Sequence, residues 1–436
     1  MNTHYLKTSI IFLIIFPVLC AISRAQPDSN ELDVISYKVT IEPFISTQSI
    51  SGRVAIHFKI SPSAKSITLQ AGNLEIDNIT GNHVGSFTRK KENLIVELSE
   101  RADWENHIFI DYHGNPERGL LFDKELWNAY TVYFTSYWMI CNDIPSDKAS
   151  LDLNILVPKG RECVASGELL RAIETDKKVL YQWRQKYESP PYTYGFAIGN
   201  FRQVSEVEGD VTLNYFSQNH SEEELRKVFQ ETGNILHFFE EKSGVKYVQN
   251  TYSQVLIGNH YQEMTGFAVL KDSYASFVLK DSSEIHLTSH ELAHQWWGNM
   301  ITCKNFNHFW LNEGMATYMS SAFSEYTFGK GKYDADIAIY KGIYDDIVKR
   351  GKDKPLVFPD WDNPSRDDRN IVYYKGAYVL HLLRDELGDD VFWAGIKAYS
   401  QEYFGKSVET KDFQKMMEEV AGRSLEDFFG EWVYGE

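Results

Sequence analysis

The chain has 436 residues, of which 43% are hydrophobic and 24% charged. This is an ordinary globular composition, long enough for two or three domains of roughly 100–200 residues each. The net charge of −17 argues against nucleic acids and anionic membrane surfaces as partners, because both would repel an acidic protein. Beyond Cys20, only Cys141, Cys163 and Cys303 are present, so disulfides cannot be the main scaffold.

The first 25 residues have the features of a secretory signal peptide. Lys7 precedes an apolar run from Ile10 to Ile22, and residues 23–25 form a small-x-small cleavage site. The run is shorter than the about 20 apolar residues that a membrane span needs. We therefore predict cleavage after Ala25 and export to the periplasm or the extracellular space, without an integral span in the mature chain. An uncleaved anchor is the alternative, and membrane association after export is left open.

Two patterns follow one another along the rest of the chain. Short β-rich runs, such as residues 54–60, 94–98 and 151–157, alternate with turn residues up to about Val204. From about Ser221 apolar residues recur at helical spacing over residues 222–242, and strand-like pieces remain at 252–257 and 267–270. We predict an α+β multidomain fold with a signal peptide at 1–25, an antiparallel β domain at 26–205 and a mainly helical domain at 206–436.

The strongest chemical signal is His290-Glu-Leu-Ala-His294, in a segment predicted to be a helix that begins at Asp281 or Ser282 and ends at Gly298. Residues four apart share a helix face, so both imidazoles can bind one metal ion. Glu291 lies one step round the helix, where it can act as general base on a metal-bound water. A helix with two solvated histidines is the alternative for this motif alone.

A third ligand is predicted at Glu313, because eighteen residues separate it from His294 and it opens a second helical pattern. Two histidines and one glutamate leave the fourth position of a zinc ion open for water, which is the catalytic arrangement. We therefore expect one Zn²⁺ per chain. His286 lies one turn before His290 but has no correctly placed glutamate base, so we interpret it as a supporting or solvated residue.

The residues around this site resemble the zinc aminopeptidase family that includes aminopeptidase N and leukotriene hydrolase. The resemblance is carried by residues 290–299 and 309–316, and further by residues 137–149, 194–201, 373–377 and 428–432. It runs from about residue 35 to the C-terminus. It implies a β saddle followed by a thermolysin-like zinc peptidase domain of the gluzincin type, with the pattern HExxH-x18-E, acting on peptides with a free N-terminus.

The resemblance also implies roles for residues outside the metal site. Tyr373, in a Tyr-x-Lys-Gly motif, matches the phenol that stabilises the oxyanion, although the adjacent Tyr374 remains an alternative. Glu263 matches the glutamate that holds the substrate's α-amine, and Gly266 follows in the same substrate-binding loop. Thr131 stands where the family places a second acidic or amide side chain.

This loop departs from the family pattern. His260, Gln262 and Met264 replace the Gly, Met and Asn of the usual Gly-x-Met-Glu-Asn sequence. The "amino" half of an aminopeptidase assignment therefore depends on Glu263 alone, because an anionic group is what capture of the amine requires.

The resemblance implies a short form of the family, without the helical C-terminal domain that covers the cleft in other members. We expect an open cleft that accepts longer peptides, or a cleft covered by a second subunit, and the oligomeric state is left open. The predicted function is a zinc-dependent aminopeptidase. The alternatives are a zinc endopeptidase, an epoxide hydrolase on the same scaffold, or an inactive peptide-binding homologue.

Overall fold

The structure is a computed structural model that describes residues 32–99, 103–358, 361 and 364–436. The predicted signal peptide at residues 1–25 lies outside the described residues. The N-terminal half of the described chain consists mostly of strands, which are β1 (Asp33–Phe44), β2 (Ser49–Lys59), β3 (Ser66–Gln70), β4 (Glu75–Gly81), β5 (Val84–Lys90), β6 (Asn93–Leu98), β7 (Glu105–Gly114), β8 (Leu120–Asp123), β9 (Asn128–Thr131), β10 (Ala149–Pro158), β11 (Glu162–Ala165), β12 (Glu168–Glu174), β13 (Lys178–Ser189) and β14 (Phe196–Gly199).

These strands form three sheets around one hydrophobic core. The largest has the order β12-β13-β10-β1-β2-β7-β4, and smaller sheets have the orders β11-β14-β9-β8 and β3-β6-β5. Alternating burial along β7 places Ile108, Ile110 and Tyr112 in the core, as the two-residue period of a strand requires. All pairs in the largest sheet are antiparallel except β1 with β10. The predicted N-terminal β domain is thus confirmed, with one parallel pair inside it.

The C-terminal half combines a sheet with helices, as the α+β prediction expected. Its strands are β15 (Arg202–Glu208), β16 (Val211–Ser217), β17 (Thr251–Leu256), β18 (Gln262–Met264), β19 (Phe267–Leu270), β20 (Thr302–Cys303) and β21 (Ser407–Val408). Its α-helices are α1 (Glu222–Val228), α2 (Thr232–Ser243), α3 (Tyr274–Lys280), α4 (His286–Ala293), α5 (Trp310–Phe328), α6 (Lys330–Lys349), α7 (Arg366–Asn370), α8 (Gly376–Leu387), α9 (Asp389–Tyr403), α10 (Thr410–Ala421) and α11 (Glu426–Phe429).

A five-stranded sheet with the order β15-β16-β17-β19-β18 supports the helices, and β18 forms its edge. The change of sheet falls between β14 and β15, so the predicted domain boundary at 205/206 lies inside β15. No helix in the described part of the chain has the length and apolarity needed to cross a bilayer.

The apolar stripe at residues 222–242 forms two helices rather than one. Helix α1 begins with a capping box between Ser221 and Glu224, and it ends at Val228, with Phe229 as its C-cap residue. The Phe229 ring turns into the core and stacks on Tyr215, with centroids 4.8 Å apart. Burying this ring at the junction of α1 and α2 favours a break between the two helices. The helical period of the sequence does not indicate this break.

Several side chains of the β domain reach into the C-terminal half, among them those of Lys148 and Tyr192. The buried ammonium of Lys148 donates to the carbonyl oxygens of Met300 and Lys406. The hydroxyl of Tyr192 donates to the carbonyl of Gly298 at 3.1 Å and accepts from the Asn312 amide at 2.9 Å. The two halves are therefore joined by polar contacts close to the predicted metal ligands.

Candidate active site

The three predicted metal ligands converge on one point. Nε2 of His290 lies 3.1 Å from Nε2 of His294, and Oε2 of Glu313 lies 3.3 Å from each of these nitrogens. A tetrahedral site with bonds of about 2.0–2.1 Å would place neighbouring ligand atoms about 3.3–3.4 Å apart. All three side chains are buried, and no hydrogen-bond partner of Glu313 Oε2 is found among the residues that the structure describes. Three buried acceptor atoms facing each other fit a cation at their centre.

Helix α4 presents the two histidines, but it is shorter than the sequence predicts. It begins at His286 and lacks a side-chain cap, because the Asp281 carboxylate instead accepts from the N–H and hydroxyl of Ser283 in the preceding turn. The helix ends at Ala293, so that His294 is its C-cap residue. The predicted start at Asp281 or Ser282 and end at Gly298 are therefore both wrong, while the i, i+4 spacing still places both rings on one face.

Hydrogen bonding fixes the tautomer of His294. Its Nδ1 lies 3.0 Å from the carbonyl oxygen of Trp297, which can only accept, so Nδ1 carries the proton. The lone pair is therefore on Nε2, the atom that faces Glu313. This is the usual arrangement of a histidine that binds a metal.

Glu291 and Glu263 lie beside the ligand cluster. One carboxylate oxygen of each and one ring nitrogen of His294 lie within 4.8 Å of one another. Burial raises the pKa of Glu291 well above its usual range, and the nearby Glu263 and Glu313 charges raise it further. Burial likewise raises the pKa of Glu263 to about 7. Within the described part of the chain, Oε2 of Glu291 has no hydrogen-bond partner, so it is available to accept a proton.

Helix α5 carries Glu313 in its first turn and packs closely against α8. A Cβ placed on Gly314 would lie 3.0 Å from the Cα of Gly376 and 3.0 Å from the carbonyl oxygen of Val372. Only glycine therefore permits this approach. The close contact fixes Glu313 relative to the π-helical turn Ile371–Lys375, which precedes α8.

That turn carries Tyr373 and Tyr374, the two alternatives for the phenol that stabilises the oxyanion. The ring of Tyr373 stacks on His290 with centroids 5.9 Å apart and an interplanar angle of 14°. Tyr374 instead packs against Tyr340, with centroids 5.5 Å apart. Of the two phenols, Tyr373 is therefore the one that lies against a predicted metal ligand. π-Helical turns of this kind occur frequently at functional sites.

The structure places the other two predicted substrate-binding residues in contacts within the protein. The Thr131 hydroxyl accepts from the N–H of Phe196 at 2.9 Å and lies 3.3 Å from its carbonyl oxygen. The N–H of Gly266 donates to Gln295 Oε1 at 3.0 Å, and a Cβ on Gly266 would lie 2.8 Å from Gln249. The substrate contacts of Thr131 and Gly266 stay predictions.

Two supporting residues acquire a clear place only in the structure. Gln295 also donates from Nε2 to the carbonyl of Met264 at 2.9 Å, so its amide clamps the loop after Glu263 to the metal-binding segment. His286 is half-buried beside Ser320, with Nδ1 2.8 Å from the hydroxyl, and desolvation lowers its pKa to about 3. Of the two roles that the sequence left open for His286, the structure favours the supporting one. The position of Gln295 directly after HExxH was the one available signal for its role.

Two family models match the chain. The Peptidase M1 N-terminal domain matches residues 34–193, and the Peptidase family M1 domain matches residues 228–432. The second match includes all three predicted metal ligands, Glu291, Glu263 and Tyr373. Together the two models cover most of the chain, in the order in which the β domain and the helical domain occur.

Several known proteins are similar to this chain. Leucine aminopeptidase 2 from Aspergillus oryzae is 29% identical over 66% of this chain and 47% of its own length. Leucyl aminopeptidase from Saccharolobus solfataricus is 24% identical over 67% of this chain and 39% of its own length. This chain thus spans about half the length of the curated relatives it matches, or less.

Solved structures agree with the fold over nearly the whole chain. The M1 zinc metallopeptidase from Deinococcus radiodurans superposes with a TM-score of 0.76 and 22% identity, over 93% of this chain and 94% of its own. A two-domain M1 zinc metallopeptidase bound to L-tryptophan gives a TM-score of 0.77 and 21% identity with the same coverage. From these matches and the arrangement of its two domains, we conclude that the chain belongs to peptidase family M1.

Proposed function

We propose that this protein is a zinc-dependent aminopeptidase that removes N-terminal residues from peptides. The observation that carries the proposal is the buried cluster of His290, His294 and Glu313, with Glu291 and Glu263 beside it. Members of the family that are similar to this chain are named aminopeptidases, and one similar structure contains the peptide Tyr-Ser-Ala. These names support the assignment of the peptide substrate class.

Zinc would be held by Nε2 of His290, Nε2 of His294 and one carboxylate oxygen of Glu313. Bound there, it supplies a Lewis acid that polarises a carbonyl and makes water acidic near neutral pH. The donor set of two imidazoles and one carboxylate is the one that catalytic zinc prefers, since it leaves a position open.

Glu291 is the proton carrier of the proposed reaction. It takes one proton from the attacking water as the oxygen adds to the scissile carbonyl carbon. It then gives this proton to the departing amine nitrogen as the C–N bond breaks. Burial raises its pKa, so the carboxyl group holds the proton until the amine nitrogen accepts it.

Tyr373 donates a hydrogen bond to the carbonyl oxygen as negative charge develops on it. Burial raises the pKa of its phenol well above the usual range, and the neighbouring Glu313 carboxylate raises it further, so the donor proton is kept at neutral pH. A fixed donor in a water-poor site stabilises the transition state more than it stabilises the substrate.

Glu263 provides the selectivity for a free N-terminus. Its carboxylate lies beside Glu291 and is buried, so it would pair with the α-ammonium of the first residue and place the following peptide bond at the metal. A buried carboxylate gains strongly from such a cationic partner. Cleavage would then fall one residue from the N-terminus.

Activity on matched substrates tests this proposal. Aminoacyl amides with a free amine should be hydrolysed, the N-acetylated forms should not, and a zinc chelator should abolish the activity. Rapid cleavage inside N-acetylated peptides would favour the endopeptidase alternative. Hydrolysis of an epoxide without peptide cleavage would favour the epoxide hydrolase, and zinc-loaded protein without any turnover would favour the inactive homologue.

We also propose that the protein is exported after cleavage of its first 25 residues. The support is the charged, apolar and small-residue pattern of the N-terminus. Removal of Lys7 and Arg24 with this segment would change the net charge from −17 to −19. Mass spectrometry of the protein from a secreting host should give a mature N-terminus at Gln26, whereas a retained Met1 in a membrane fraction would show an uncleaved anchor.

A further inference from the structure

We propose that Gln262 is a positioning residue for amine recognition, and that its side-chain amide fixes the Glu263 carboxylate toward the substrate's α-ammonium. The proposal rests on the proposed aminopeptidase function. Its basis is a chain of hydrogen bonds that runs from the backbone of Tyr133, through Gln262, to Glu263. This series of hydrogen bonds connects a loop of the β domain to strand β18, which carries Glu263.

The orientation of the Gln262 amide is determined by its partners. The backbone N–H of Tyr133 lies 2.9 Å from one end of the amide, and an N–H can only donate, so that end must be Oε1. The NH₂ group therefore faces Glu263. It lies 2.9 Å from the carboxylate oxygen Oε2 and 3.4 Å from the carbonyl oxygen of the same residue.

Burial makes this contact important. Gln262 is 1% exposed and Glu263 is 6% exposed, so water cannot easily replace a lost hydrogen bond at either residue. A donated N–H holds one carboxylate oxygen in place and leaves the other free to meet a cation. Without the donor, the carboxylate would lose a charge-assisted hydrogen bond and could rotate away from the position that an ammonium requires.

At its other end, this series of hydrogen bonds involves Tyr133, which has an unusual backbone conformation. Its φ is +52°, in the left-handed region that a tyrosine adopts rarely. Its N–H donates to Gln262, and its hydroxyl donates to the carbonyl of Tyr261 at 2.8 Å. These two hydrogen bonds attach Tyr133 to β18 and to the residue that precedes this strand. Tyr133 is 46% exposed, so it belongs to the surface that a substrate would approach.

Gln262 would thus contribute to the selectivity for substrates with a free α-amine, which a merely structural residue would not do. Its loss should weaken interactions with the substrate's amine and leave the chemistry at the carbonyl unchanged. The effect should therefore appear in KM more than in kcat, and only for substrates that carry the amine.

The variant Gln262→Met tests this idea, because methionine has a similar length and neither donates like an amide nor accepts as strongly. Two substrates are compared: a leucyl anilide, and the analogue in which a hydroxyl replaces the α-amine. We expect kcat/KM for the amine to fall about 10- to 100-fold, the range for loss of one hydrogen bond to a charged group, and to change by less than about threefold for the hydroxyl analogue.

The control is Gln185→Met in the β domain. It also removes a buried amide, but this amide bonds to Tyr187 and Ser189 and not to Glu263. It should leave the ratio of the two substrates unchanged. If Gln262→Met does not fold, Gln262→Asn decides: its shorter amide cannot span both partners, and the same amine-specific loss is expected. Equal losses on both substrates, or no loss in a folded variant, would overturn the role of Gln262.

The wild-type protein separates this proposal from the proposed function. If it does not prefer the amine over the hydroxyl analogue, amine recognition itself fails. If it does prefer the amine and Gln262→Met keeps that preference, only the role of Gln262 fails. Zinc content, measured by atomic absorption, should be the same in all variants, because Gln262 does not contact the metal ligands in any hydrogen bond of the described residues.

Discussion

The contact between Gly314 and Gly376 joins the helix that carries Glu313 to the helix that follows Tyr373. In Gly314→Ala, the new Cβ would lie 3.0 Å from the Cα of Gly376, 3.0 Å from the Val372 carbonyl oxygen and 3.1 Å from the Gly376 carbonyl carbon. Carbon atoms prefer separations of about 3.5–4.0 Å. All three neighbours are backbone atoms, so no side chain can rotate away, and the two helices must separate.

The expected cost has a structural and a catalytic part. Inserting a methyl group into a close-packed contact typically costs about 1–3 kcal/mol, of which the better helix propensity of alanine offsets up to about 1 kcal/mol, so the melting temperature should fall by a few degrees. Separation of the helices also moves Glu313 relative to Tyr373. Relief of these contacts needs a shift of a few tenths of an ångström, and a displacement of about 1 Å at a reacting group can cost about 100-fold in rate, so we expect kcat to fall about 3- to 10-fold.

Calorimetry and initial rates on an aminoacyl anilide measure the two effects. The matched control is Gly342→Ala in α6, where a new Cβ would have no neighbour within 4 Å among the described residues. That change should leave the rate unchanged and should stabilise the helix by up to about 1 kcal/mol. If Gly314→Ala melted and turned over like the wild type, the helix contact would not position the site, and the reasoning would be wrong.

Three further predictions concern the site and the surface. Glu291→Gln should retain zinc by atomic absorption and lose about 10²–10⁴-fold in kcat, since only the proton carrier is removed; full activity would contradict its role. Chelation should lower the melting temperature, and zinc at about 100 times its Kd should restore about 2.7 kcal/mol; an unchanged melting temperature would argue against a site in this cluster. Hydrogen bonds from Lys411 and Lys304 lower the pKa of Glu409 to about 2, so its ionised form stabilises the fold above about pH 4.5. Glu409→Gln should therefore lower the melting temperature at pH 7, and the difference from wild type should vanish as the pH falls from about 4.5 to about 2; a difference independent of pH would contradict this.

Local patterns in the sequence were enough to predict the order of the two domains and the metal cluster. The two-residue and helical periods reflect which face of each element is buried, so they can be recognised in the sequence without knowledge of the tertiary structure. The His290 and His294 spacing is local to one helix turn. Glu313 was found because its distance along the chain matches a known pattern.

Contacts between distant segments were not predictable in this way. Tyr133 and Gln262 are 129 residues apart, and no period in either segment indicates that their polar groups meet. The start of α4 was predicted too early because Asp281 was expected to cap the helix, whereas its carboxylate satisfies Ser283 instead. A capping residue offers the same hydrogen bond to a turn as to a helix, so tertiary packing decides between them.

The Tyr192 hydroxyl bonds to Gly298 and to Asn312, so a side chain of the β domain supports the metal-binding region of the other half. Asn312 directly precedes Glu313, so a group from one domain bonds to the side chain of the residue next to a metal ligand of the other. Metal affinity and domain docking are therefore linked reciprocally: zinc should strengthen the docking by as much as docking strengthens zinc binding. We therefore expect the excised C-terminal half to bind zinc more weakly, although it would keep every ligand.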